Sequence, residues 1–73
     1  MEKYFVEVIA SGALQINAIT EWTDIDKASG EFYSKCATYS KSADKVDATI
    51  VVFDVNFDVV NGLRRHIVHD AKA

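Results

Sequence analysis

Two antiparallel β-hairpins joined by one helix, an α+β fold of order ββαββ, is the architecture this sequence predicts. Three observations carry it. The stretch Thr49 to Val60 alternates like an extended strand and stops at Asn61-Gly62. Tyr4 to Ala10 and Leu14 to Trp22 alternate in the same way around Ser11-Gly12. Between these pairs, Ile25, Ala28, Phe32, Cys36, Tyr39 and Ala43 recur at helical spacing. The implied object is a two-layer domain, a four-stranded antiparallel sheet with one helix on one face.

The first strand, Tyr4 to Ala10, is rich in aromatic and β-branched residues that fit a pleated surface. The Ser-Gly step after it is short enough to demand an antiparallel return. In the second strand Leu14, Ile16, Ala18, Thr20 and Trp22 share one face, because successive strand side chains point to opposite sides. Thr23 and Asp26 then have the spacing of a helix N-terminus. At about 100° per residue the six apolar positions fall in one stripe, which predicts a helix from about Asp24 to Ser42. Asp24 and Asp26 near its start, with Lys41 and Lys45 near its end, complement the helix dipole. Gly30 interrupts the polar side of this helix, as a tolerated weakness or as room for a partner's backbone.

In the last hairpin, Asn61-Gly62 offers two residues that accept positive φ, as a two-residue type I′ turn requires. Such a turn sets Asp58 opposite Arg65 and Asp54 opposite His69. A competing turn at Val55 to Asp58 would break the alternation, so the Asn-Gly turn is preferred. The strand order expected is 2-1-3-4, which keeps every neighbouring pair antiparallel.

The chain has 73 residues, one domain over 1–73, near the lower limit for a core that folds unaided. A domain this small buries only about 60% of its unfolded surface. Small scaffolds often lean on a disulfide, a metal or a partner subunit. The single cysteine, Cys36, excludes an internal disulfide, and no Cys/His cluster suggests a structural zinc. Good packing or self-association is what remains. A lone thiol fits a reducing cytoplasm, and no signal peptide is read at the N-terminus. The longest uncharged stretch, Val8 to Thr20, is too short and too polar for a bilayer span. A net charge of −3 argues against broad attraction to nucleic acid or anionic lipid. The expected setting is therefore cytoplasmic, away from membranes.

One helix covers one face of a four-stranded sheet. If Val6, Val8, Leu14, Ile16, Val51, Phe53 and Val55 face the helix, then Phe5, Ile9, Ile19, Ile50 and Val52 point the other way. Five large apolar side chains on an open face make a patch that monomers seldom expose. These five are the candidate interface, and a homodimer is the expected assembly.

No constellation for chemistry emerges. Asp54, Asn56 and Asp58 imitate the opening of a calcium loop, but Val59 and Arg65 stand where that loop needs Gly and Glu. His66 and His69 fall on opposite sides of a strand and cannot share a metal. Cys36 sits in the apolar stripe, where a thiol acts as a small hydrophobe. Arg64, Arg65 and His66 form a basic cluster for contacts with a phosphate or an acidic partner, or solubilising charge on an edge strand. P-loop, dinucleotide-binding glycines, nucleophile elbow and H-E-x-x-H are all missing. The expectation is a non-enzymatic interaction module without catalytic residues, metal or cofactor. The alternative is a nucleic-acid-associated protein using Arg64 and Arg65 with Tyr33, Tyr39 or Phe57, since aromatic stacking beside charge is the route to single-strand binding.

The pattern Tyr4-Phe5-Val6-Glu7-Val8-Ile9-Ala10, Gly12, Gln15, Thr20-Glu21, Asp26-Lys27-Ala28, Phe32-Tyr33 and Asn61-Gly62 resembles small phage- and prophage-encoded proteins of Firmicutes. Those are commonly of hypothetical function. The resemblance implies a bacterial or phage origin and transfers no functional residue.

Overall fold

The computed structural model describes residues 2–11 and 16–72. Four strands and one helix follow in the order expected: β1 (Tyr4–Ser11), β2 (Ile16–Trp22), α1 (Ile25–Lys41), β3 (Val46–Asp54) and β4 (Val59–His69). All four strands form one antiparallel sheet of order β2-β1-β3-β4. The Ser11-Gly12 connection, the placement of Leu14 and the side chain of Ile16 lie outside what is described.

The helix starts one residue later than the Thr23/Asp26 spacing suggests. Asp24 is the cap: its carboxylate accepts from the Asp26 N–H at 2.8 Å and the Lys27 N–H at 3.4 Å. Two of the free donors of the first turn are thereby satisfied. Ala28, Phe32, Cys36 and Tyr39 are buried against the sheet, as the stripe predicts, and Ile25 packs at its margin. At the other end the last carbonyls are met by the C-terminal segment. His69 Nε2 lies 2.9 Å from the Tyr39 carbonyl oxygen, and Lys72 donates to Ser40 from Nζ and to Ala43 from its backbone, each at 2.8 Å.

The second hairpin turns where the sequence reading placed the competing turn. The chain reverses through Val55, Asn56 and Phe57, not at Asn61-Gly62. The Phe57 N–H donates to the Asp54 carbonyl, and the Asp54 N–H donates to the Asp58 carbonyl, both at 3.0 Å. Phe57 takes φ of 63°, the left-handed residue that closes a three-residue hairpin loop. The Asp54 carboxylate holds the turn by accepting from the Asn56 N–H at 2.8 Å and the Asp58 N–H at 3.1 Å. Hence Asp54 is not opposite His69, nor Asp58 opposite Arg65; Val46 faces His69 and Ile50 faces Arg65.

The physical reason is coverage. Turning at Val55–Phe57 lets β4 pair along β3 from Val46 to Val51, making β3 a central strand. A turn at Asn61-Gly62 leaves that half of β3 without its neighbour, and with it the most buried residues of the molecule. Asn61 and Gly62 still use their tolerance for positive φ, at 51° and 66°. They do so inside β4, where the pairing jumps from Val51↔Arg64 to Phe53↔Val59. The jump is a bulge, which the left-handed pair makes possible.

Register also corrects the faces. Val6 pairs with Val52, Val8 with Ile50, and Ala10 with Ala48. Directly paired residues share a face, so Ile50 and Val52 belong with Val6 and Val8 beneath the helix. Both are 0% exposed. Val51 and Phe53, expected under the helix, lie on the open face instead, and Val55 is an exposed turn residue.

Candidate interaction surface

The uncovered face is built from the alternate residues of all four strands. Phe5, Glu7 and Ile9 come from β1, Asn17, Ile19 and Glu21 from β2. Asp47, Thr49, Val51 and Phe53 come from β3, and Arg64, His66 and Val68 from β4. Of the five expected interface residues, Phe5, Ile9 and Ile19 are here. Ile50 and Val52 are not; they are core.

What replaces them is more apolar. Phe5 and Phe53, direct partners across β1 and β3, stack with ring centroids 5.4 Å apart and planes at 20°. Phe57 continues the stack onto Phe53 at 5.5 Å and 24°. Phe57 is 81% exposed, held by the left-handed turn on the open side rather than in the core. With Ile19 and Val55 the three rings line an open depression of about 300 Å³. Ile9, Ile19 and Val68 extend the patch, at 49%, 54% and 63% exposure.

The sequence reading missed Phe53, Phe57, Val51 and Val68 as members of this face. The signal for β3 was present, since Val46 and Ala48 alternate with Asp47 and Thr49 before the all-apolar stretch begins. Read from Val46, the polar pair marks the open side, and Val51 and Phe53 follow by parity.

The basic cluster divides. Arg64 and His66 face the open side, opposite Val51 and Thr49, whereas Arg65 lies opposite Ile50 on the helix side. His66 Nε2 lies 2.7 Å from the Asp47 carboxylate, an exposed pair of little net worth to stability. Glu21 pairs with Lys3 at 3.7 Å.

Elsewhere the geometry is structural. Cys36 is buried, and burial pushes its thiol above the ordinary value, with the nearby Arg65 opposing. The Tyr4 hydroxyl donates to Glu2, whose carboxylate holds the phenol above its usual range. The calcium-like residues are engaged in the turn, with one Asp54 oxygen accepting two backbone donors. His66 and His69 point to opposite sides of β4, as alternation requires. Among the described residues no group of three or more His, Cys, Asp or Glu is placed to hold a metal ion. Among them, too, no helix is long and apolar enough to cross a membrane.

No family model, curated protein or solved structure matches this chain.

Proposed function

We propose that this protein is a non-enzymatic interaction module that self-associates through its open sheet face. The observation that carries the reading is the continuous stack of Phe5, Phe53 and Phe57 in water, flanked by Ile9, Ile19 and Val68. Burying a phenylalanine or isoleucine side chain contributes about 1.5–3 kcal/mol. Several together outweigh the freedom lost on association when they are held on a rigid sheet. A phage or prophage accessory role in a bacterial cytoplasm accompanies this reading, on the resemblance alone.

Sedimentation equilibrium is the test. A dimer at tens of micromolar is expected for the unaltered chain, and monomer for Phe5→Asp with Phe57→Asp, with the circular dichroism spectrum retained. An unaltered chain that stays monomeric at about 100 μM, corresponding to weaker than about −5.5 kcal/mol, rejects the reading.

A second reading is favoured by one feature: the stacked phenyl rings share their face with Arg64 and His66. Bases stack on such platforms beside cations. Glu7, Glu21 and Asp47 on the same face, and the net charge of −3, oppose it. Absence of any gel shift with single-stranded DNA or RNA at low ionic strength removes it.

A further inference from the structure

We propose that the second copy docks with the two-fold axis parallel to the strands, between β1 and β3, so that Arg64 of each copy pairs with Glu7 of the other. This rests on the self-association reading above and adds its geometry.

The charges of the open face are the starting point. His66 is paired with Asp47 and Glu21 with Lys3 within the chain. Arg64 and Glu7 have no ion-pair partner among the described residues. They lie in one row across the sheet, which reads Arg64, Val51, Glu7, Ile19 from β4 to β2. They lie two strand spacings of about 4.8 Å apart with Val51 between them, and no ion pair joins them within one molecule among the described residues.

Glu7 is half-buried between Val51 and Ile19, inside the apolar patch. Any occupant that covers the patch strips water from this carboxylate, which is unfavourable unless a cation arrives with it. A second copy brings that cation. With the axis parallel to the strands, β4 of one copy lies over β2 of the other, and β3 over β1. The facing sheets are about 10 Å apart. Arg64 then stands one strand's width from Glu7 of the second copy, within reach of its long side chain. Symmetry makes the pair twice.

The other aligned packing has its axis across the strands. It lays β4 on β4 and β1 on β1, which gathers Arg64 and His66 of both copies together and sets Glu7 over Glu7, two strands from either Arg64. In the first arrangement the two Glu7 also lie one strand's width apart, but each has an Arg64 on its other side. Like charges across an interface are strongly unfavourable. Charge therefore selects the first arrangement.

The test uses Arg64→Glu and Glu7→Arg, each alone, mixed, and combined in one chain, with sedimentation as readout and circular dichroism as the check on folding. Each single reversal creates two repulsive contacts and weakens dimerisation by at least about tenfold. The equimolar mixture forms heterodimers with both pairs restored, and the chain carrying both changes recovers self-association. Arg64→Gln and Glu7→Gln, which introduce no repulsion, weaken the dimer in the same direction.

A dimeric parent whose single variants and mixture show no such pattern overturns this geometry and leaves self-association standing. Tight heterodimers between Arg64→Glu and the unaltered chain, exceeding both homodimers, likewise overturn it in favour of the crossed axis. A monomeric parent removes both proposals at once.

Discussion

Ile9 and Ile50 are the same residue type on adjacent strands of one sheet, yet one is half exposed and the other has no solvent contact. Beneath the helix the sheet carries Val6, Val8, Ala10, Val46, Ala48, Ile50 and Val52, all aliphatic and several small. Small side chains let Phe32 and Tyr39 descend close to the strands. On the other side the sheet carries Phe5 and Phe53, with Phe57 of the turn stacked beside them and no helix or second sheet among the described residues above them. Tyr4, Trp22, Leu63 and Ile67 complete the helix side, so what sets the open face apart is that three of the chain's four phenylalanines lie there. A single helix has one apolar stripe, and its coverage ends there. The covered face holds the buried core, and the open face keeps its apolar side chains in contact with solvent.

The contrast is broken most directly by placing the same charge on each side. Ile50→Asp buries an unpaired carboxylate and is expected to destabilise by more than about 4 kcal/mol, enough to unfold a domain whose whole stability is of order 5–15 kcal/mol. Ile9→Asp is expected to stay within about 1 kcal/mol for the monomer, the span of strand preference. Urea titration of both variants compares them, and equal losses would contradict the assignment of faces.

Next in size, Phe32→Ala removes the central side chain of the helix stripe and is expected to lose about 3–5 kcal/mol whatever the state of association. A loss that vanishes on dilution would place Phe32 in an interface rather than the core. At the bulge, Gly62→Ala forces a side chain into φ of 66° and is expected to lose about 1–2 kcal/mol. Were Asn61-Gly62 a surface irregularity without consequence, thermal melts of the two chains would coincide.

Gly30→Ala has the opposite sign. A Cβ there meets nothing within 4 Å, so helix preference acts alone and the gain is about 0.5–1 kcal/mol. A stabilised monomer combined with lost association would instead assign Gly30 to a contact with a partner's backbone.

The smallest expected effect is in alkaline solution. The Cys36 thiol is raised by burial, so folding favours the neutral form. Its contribution is fully present below the ordinary value of 9.0 and is lost as pH rises through the higher folded value. Cys36→Ala should flatten that part of the stability profile; an unchanged slope in pH-dependent urea melts would assign the alkaline loss to other groups.

Much of this molecule was legible before its structure. The helix stripe from Ile25 to Tyr39, the order ββαββ and the open-face positions of Phe5, Ile9 and Ile19 follow from local period and chain connectivity, whereas the strand sequence 2-1-3-4 was one of the orders that keep every neighbouring pair antiparallel. Such patterns depend on neighbours a few residues away, and Glu7 marks the exposed side of β1 unambiguously. The face of Ile50 and Val52 was not legible from the segment beginning at Thr49, because the stretch from Ile50 to Phe53 is apolar on both sides. Nor was the turn: Asn61-Gly62 has the stronger local preference, but Asp54 holds a three-residue loop whose choice pairs β4 with the buried half of β3. Local chemistry determined which segments are strands and helix. Long-range pairing decided where β3 and β4 turn, since the gain from covering the buried half of β3 is absent from the local preference of Asn61-Gly62.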